Sequence, residues 1–136
     1  MPEEVSEEEY NKFIQKAKVI SRQTNVQLPG EYFRYGIREC YKCKKEILVF
    51  TWPNAFEKND KPRSDYVPRT IKRQFSKTAD LEYWGNSCPY CGALQGNFFL
   101  YMEPDGPFFN LNYSDNFKED KKNIIAVTKW NETVKF

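Results

Sequence analysis

Cys40-Tyr41-Lys42-Cys43 and Cys88-Pro89-Tyr90-Cys91, the latter followed by Gly92, hold all four cysteines of a 136-residue chain that contains no histidine. Each Cys-x-x-Cys turn delivers two thiolates from one tight reversal, and two such turns fill the tetrahedron that a zinc ion prefers. No cysteine is left over for another purpose. The pairs therefore predict one structural zinc held by Cys40, Cys43, Cys88 and Cys91. A rubredoxin-type iron is the other metal that such a set holds, and zinc is the preferred reading. The 44 residues from Lys44 to Ser87 that separate the pairs are many for a four-cysteine site. Lengthening a flexible loop this far costs only about 1 kcal/mol of closure entropy, whereas structural zinc contributes on the order of 10 kcal/mol. Zinc with four thiolates carries a formal charge of about −2, which Lys42, Lys44 and Lys45 are placed to offset.

The second turn resembles the zinc knuckle Cys-Pro-x-Cys-Gly shared by zinc ribbons and rubredoxin-like proteins. In that knuckle the glycine, here Gly92, takes the left-handed conformation that turns backbone N–H groups toward the thiolates. In the first turn Lys44 stands where the glycine would be. The resemblance spans Tyr32 to Trp52 and Leu81 to Glu103, and it implies an architecture that serves many functions. Cys88-Pro89-Tyr90-Cys91 also resembles the active-site sequence of glutaredoxins, where the motif opens a helix whose N-terminus lowers the thiol pKa. Here it leads through Gly92 and Gly96 into Phe98-Phe99-Leu100-Tyr101-Met102, which reads as a strand, and a redox role leaves Cys40 and Cys43 unexplained. Zinc is preferred to thiol redox chemistry, and disulfides in a secreted protein rank lower still.

Outward from the first pair, Phe33, Tyr35 and Ile37 alternate with Arg34, Gly36 and Arg38, which predicts a half-buried strand entering the turn. Ile47 to Trp52 predicts a strand leaving it, ended by Pro53. Leu81 to Trp84 and Asn97 to Met102 give the second pair the same hairpin plan. Further out, Ser6-Glu7-Glu8-Glu9 has the form of a capping box. Tyr10, Phe13, Ile14, Ala17 and Ile20 follow at helical spacing, with Val19 opposite. A helix to about Arg22 is expected to cover one face of a sheet; a dimerising or partner-binding role is the alternative.

Between Trp52 and Thr78, Pro53, Pro62 and Pro68 interrupt regular structure and Lys58, Lys61, Arg63, Arg69, Lys72, Arg73 and Lys77 supply charge, so this stretch reads as a surface excursion. From Arg34 to Lys77 there are twelve Lys or Arg against five Asp or Glu; the first nine residues carry five Glu, and Thr78 to Phe117 has no base at all. A basic stretch interleaved with aromatics makes Arg69, Lys72 and Arg73 candidate phosphate contacts and Tyr66 and Phe75 candidate stacking groups for nucleic acid. Its plain alternative is an ordinary solvated surface. Phe98, Phe99, Tyr101, Phe108, Phe109, Tyr113 and Phe117 could likewise stack bases, but core is the preferred reading. Pro104 to Pro107 reads as a turn and Asn112 to Lys122 as loop; Ile124 to Val127 reads as a last strand, paired with Thr133 to Phe136.

The fold class that follows is α+β. An N-terminal amphipathic helix packs on an antiparallel β-sheet that contains an extended four-cysteine zinc ribbon. One domain is expected over 1–136: a helix at 5–22, the ribbon at 32–103 with a basic insertion at about 53–79, and C-terminal loop and strands at 104–136. The chain is 40% apolar and 17% aromatic, which favours a packed interior. Without histidine there is no Ser-His-Asp triad and no imidazole-ligated metal. No paired carboxylates or phosphate loop stand out, so the chain reads as a non-enzyme. It reads as a cytoplasmic binding module for nucleic acid or a nucleic-acid-handling complex, the alternative being a protein-interaction or assembly module. No apolar run is long enough to span a membrane, and oligomeric state is not legible.

Overall fold

The computed structural model describes residues 7–29, 33–56, 58–77, 80–96, 98–102, 108 and 126–127. Helix α1 (Glu7–Thr24) precedes strands β1 (Arg34–Glu39), β2 (Glu46–Thr51), β3 (Ile71–Ser76), β4 (Leu81–Ser87) and β5 (Leu94–Gln95), a π-helical turn (Phe98–Met102) and β6 (Ala126–Val127). The class is α+β. Two antiparallel three-stranded sheets, ordered β2-β1-β6 and β3-β4-β5, stand in place of the single sheet expected. No described helix is long and apolar enough to cross a membrane.

The helix follows its apolar stripe. Tyr10, Phe13, Ala17 and Ile20 are buried, Ile14 packs against them, and Val19 on the far side is exposed. Ser6, the expected cap, lies outside the described residues. The helix runs to Thr24, two residues beyond the expected end, because Asn25 takes a left-handed φ of 54° and lets Val26 N–H reach back to the Ser21 carbonyl at 3.2 Å. Val26 is thereby folded into the core. Phe13 stacks on Tyr35 with ring centroids 6.2 Å apart, and Lys16 pairs with Glu46 at 2.6 Å, so α1 lies on the β1–β2 hairpin.

That hairpin pairs Arg34 with Thr51 through to Glu39 with Glu46. Its outer face is covered too. Thr51 Oγ1 hydrogen-bonds the Tyr101 hydroxyl, and Leu100, Tyr101 and Phe108 are buried. The first half of β1 therefore departs from the alternation expected, because Arg34 and Gly36 are buried along with Tyr35, while exposure rises from Ile37 to Glu39. Covering both faces also accounts for the unbroken apolar run Ile47 to Phe50 in β2.

Two further expectations are corrected. The basic excursion at 53–79 is not all loop: Ile71 to Ser76 forms β3, which pairs with β4 from Ile71–Asn86 to Ser76–Leu81. Of the strand expected at Asn97 to Met102, the described residues Phe98 to Met102 form no strand. Strand β5 ends after pairing Asn86 with Gln95 and Ser87 with Leu94. Two residue pairs further on, the edge of β4 that a continuing β5 would use is bonded by Asn59, whose Oδ1 accepts from Trp84 N–H at 2.6 Å and whose Nδ2 donates to Trp84 C=O at 2.9 Å. With that edge filled, the chain turns at Gly96, whose carbonyl accepts from Leu100 N–H, and enters the π-helical turn. The turn delivers Leu100 and Tyr101 to the core, where Tyr101 lies beside Phe108. Ala126–Val127 forms β6 against Tyr35 and Arg34. The hairpin partner expected at Thr133 to Phe136, the loop at Asn112 to Lys122, and Phe109, Tyr113 and Phe117 lie outside the described residues.

Candidate metal centre

Cys40 and Cys43 sit at the tip of the β1–β2 hairpin, and Cys88 and Cys91 between β4 and β5. The two turns share one geometry. Cys40 N–H donates to Lys45 C=O and Lys44 N–H to Cys40 C=O; Cys88 N–H donates to Ala93 C=O and Gly92 N–H to Cys88 C=O, all at 2.9 Å. Each turn then needs a left-handed residue directly after its second cysteine. Gly92 supplies φ 78° and Lys44 φ 67°, so the first turn closes like the second without the glycine.

The four Sγ atoms all lie within 4.8 Å of one another. Cys40 Sγ is 3.7 Å from Cys91 Sγ, and Cys43 Sγ is 3.6 Å from Cys88 Sγ. Tetrahedral zinc with bonds of about 2.3 Å sets its sulfurs about 3.8 Å apart, so the cluster fits such an ion. Cys40 and Cys88, the first cysteine of each turn, are buried; Cys43 is half-buried and Cys91 exposed. Amide N–H groups two and three residues on point at the first sulfur of each turn, from Lys42 and Cys43 to Cys40 and from Tyr90 and Cys91 to Cys88. Burial pushes the Cys88 thiol up to about 12, and its neighbours Cys43 and Cys91 add to the rise. Burial raises Cys40 as well, but the amides of Cys43 and Lys42, with the Gln95 side chain, hold it down at about 6.

Two asparagines and a glutamine that sequence reasoning did not single out support the cluster. Asn86, two residues before Cys88, bonds both backbone groups of Phe50 on β2. Asn59 ties the segment after β2 to β4. Gln95 donates from Nε2 to Cys40 Sγ at 3.4 Å. Nothing in their sequence neighbourhoods marks them, since each acts on a residue at least 25 positions away.

The candidate nucleic-acid residues are placed differently from the cysteines. Arg69 donates to the Thr24 and Asn25 carbonyls at the end of α1, and the Tyr66 hydroxyl donates to Gln27 C=O at 2.6 Å. These two fasten the excursion to the helix terminus. Lys72, Arg73 and Phe75 are exposed on β3, but strand alternation separates Lys72 from the other two. Arg73 Nε lies 3.4 Å from Glu82 on the neighbouring strand. The glutaredoxin-like motif leads into β5 and does not open a helix. Family models, curated proteins and solved structures were compared with the chain, and none matches.

Proposed function

We propose that the chain is a small binding module built around one structural zinc, in the manner of a zinc ribbon. The convergence of the four Sγ atoms at spacings that suit a tetrahedral ion carries the reading. Four thiolates close the coordination sphere and leave no open position for water, so the ion serves the fold and not a reaction. It would join two hairpins at their tips, beside the Asn86 side chain that bonds both backbone groups of Phe50. Elemental analysis of the purified protein with an absorption spectrum tests this. One colourless zinc per chain is expected; a thiolate-to-iron charge-transfer spectrum would assign iron instead, and a metal-free folded chain would overturn the reading.

An anionic partner is favoured by one observation: Lys58, Lys61, Arg63, Arg69, Lys72, Arg73 and Lys77 are all exposed within one stretch of chain. Nucleic acid is the sharper form of that reading, with Arg73 and Phe75 on one face of β3 as contacts. Titrating a single-stranded oligonucleotide at rising salt tests it, because phosphate contacts predict affinity that falls steeply with salt. Lack of binding at low salt would transfer the function to a protein partner.

A further inference from the structure

The two turns match in backbone, but the sulfurs of their buried cysteines do not have the same neighbours. Among the described residues, Cys88 Sγ receives N–H groups from its own turn alone, including Tyr90 N–H at 3.4 Å. Cys40 Sγ receives the equivalent pair and a third donor from the opposite turn, the Gln95 side-chain amide on β5. Gln95 is fully buried. Its Nε2 also donates to Ala93 C=O at 3.0 Å. That carbonyl fixes which way round the amide sits: an oxygen there would face another oxygen. The NH₂ group must then lie against Cys40, and a sulfur facing a donor is best served by being a thiolate. Gln95 Oε1 is buried with no hydrogen-bond partner among the described residues. A packing role alone would favour an apolar side chain at this position, which would leave no orphaned acceptor.

We infer that Gln95 is a positioning residue for the metal centre, aiming the Cys40 sulfur at the ion through an N–H···S bond from across the site. The inference rests on the metal reading above. The bond fixes the direction from which the Cys40 sulfur meets the ion and draws charge from that sulfur alone among the two buried ligands. Cys91, exposed and without such a donor among the described residues, is where electrophiles and competing chelators enter.

Gln95→Met keeps the length and bulk of the side chain and removes the donor. Cobalt(II) serves as the probe, because its sulfur-to-metal charge-transfer band reports the electron density on the thiolates. The variant is expected to move that band to longer wavelength and to weaken cobalt and zinc binding about tenfold in chelator competition. An unchanged band and unchanged affinity would overturn the inference while leaving the metal centre standing. A wild-type chain that binds neither ion would overturn both. Should the variant fail to fold, cadmium-113 NMR of the wild-type protein decides: scalar coupling between the Gln95 side-chain amide protons and the metal is expected, and its absence at a loaded site would overturn the inference.

Discussion

Asn86 completes the backbone hydrogen bonding of Phe50, its Oδ1 accepting from Phe50 N–H at 2.8 Å and its Nδ2 donating to Phe50 C=O at 2.9 Å. The side chain thus stands in for one residue of a strand on the outer edge of β2, while its own backbone pairs with both Ile71 and Gln95. Through it, the two sheets are joined two residues before Cys88, and the cysteine pairs are brought within reach of one ion.

Asn86→Ala leaves two buried backbone groups of β2 without partners, at about 1–3 kcal/mol each. The variant is expected to lose roughly 3 kcal/mol in urea titration of the metal-loaded protein. A loss below about 0.5 kcal/mol, the usual range for an inconsequential surface change, would show that water replaces the amide and that the sheets are joined elsewhere.

Lys44 carries the left-handed backbone that Gly92 carries in the other turn. A side chain in that region costs about 1–2 kcal/mol, partly offset in the comparison with glycine by glycine's greater unfolded-state freedom. Lys44→Gly should therefore stabilise the protein by up to about 1 kcal/mol, and Gly92→Ala should destabilise it by a similar amount. Among the described residues, and apart from Gly92 and its chain neighbours, no atom lies within 4 Å of a Cβ placed on Gly92, so the second effect would be conformational and free of clash. Thermal melts of the two variants moving in the same direction would contradict the equivalence of the turns.

Arg69, a candidate phosphate contact by sequence, donates from its guanidinium to the carbonyls of Thr24, the last residue of α1, and of Asn25 just beyond it. Arg69→Met should lower stability by about 1 kcal/mol, the scale of a helix cap combined with a favourable charge at the negative end of the dipole. It should change oligonucleotide affinity no more than the loss of any one exposed charge. A large affinity loss with unchanged stability would return Arg69 to the binding surface.

Metal affinity should follow pH in a way set by the two buried thiols. Cys88, raised to about 12, keeps its proton at neutral pH in the metal-free chain, so an incoming ion must displace it. Cys40, held at about 6, is already a thiolate there and joins the proton competition only in acid. Apparent zinc affinity is expected to fall steadily as pH drops through the neutral range, where Cys88 holds a proton, and to fall more steeply below about 6, where Cys40 gains one too. Isothermal titration in buffers of different ionisation enthalpy would count the protons released. No proton release at neutral pH would contradict this assignment.

Much of the centre was legible because its signals are local. Two cysteines three apart define a turn, and the apolar stripe from Tyr10 to Ile20 defines the buried face of a helix within about three helical turns. The illegible parts depend on contacts across the chain. Ile71-Lys72-Arg73-Gln74-Phe75-Ser76 looks like solvated excursion because its charges are real and exposed; what makes it a strand is β4, which offers it an edge. Asn97 to Met102 has strand composition, yet Phe98 to Met102 forms a π-helical turn, and Asn59, from nearly forty positions earlier, bonds the Trp84 edge that a longer β5 would use. Arg34 looks outward by alternation until Tyr101 and its neighbours cover the second face of its sheet.

X-ray absorption at the zinc edge of the loaded protein tests the central claim most directly. Four sulfurs at about 2.3 Å and no lighter ligand are predicted for an ion closed in by Cys40, Cys43, Cys88 and Cys91. A shell containing oxygen or nitrogen, or fewer than four sulfurs, would contradict the account.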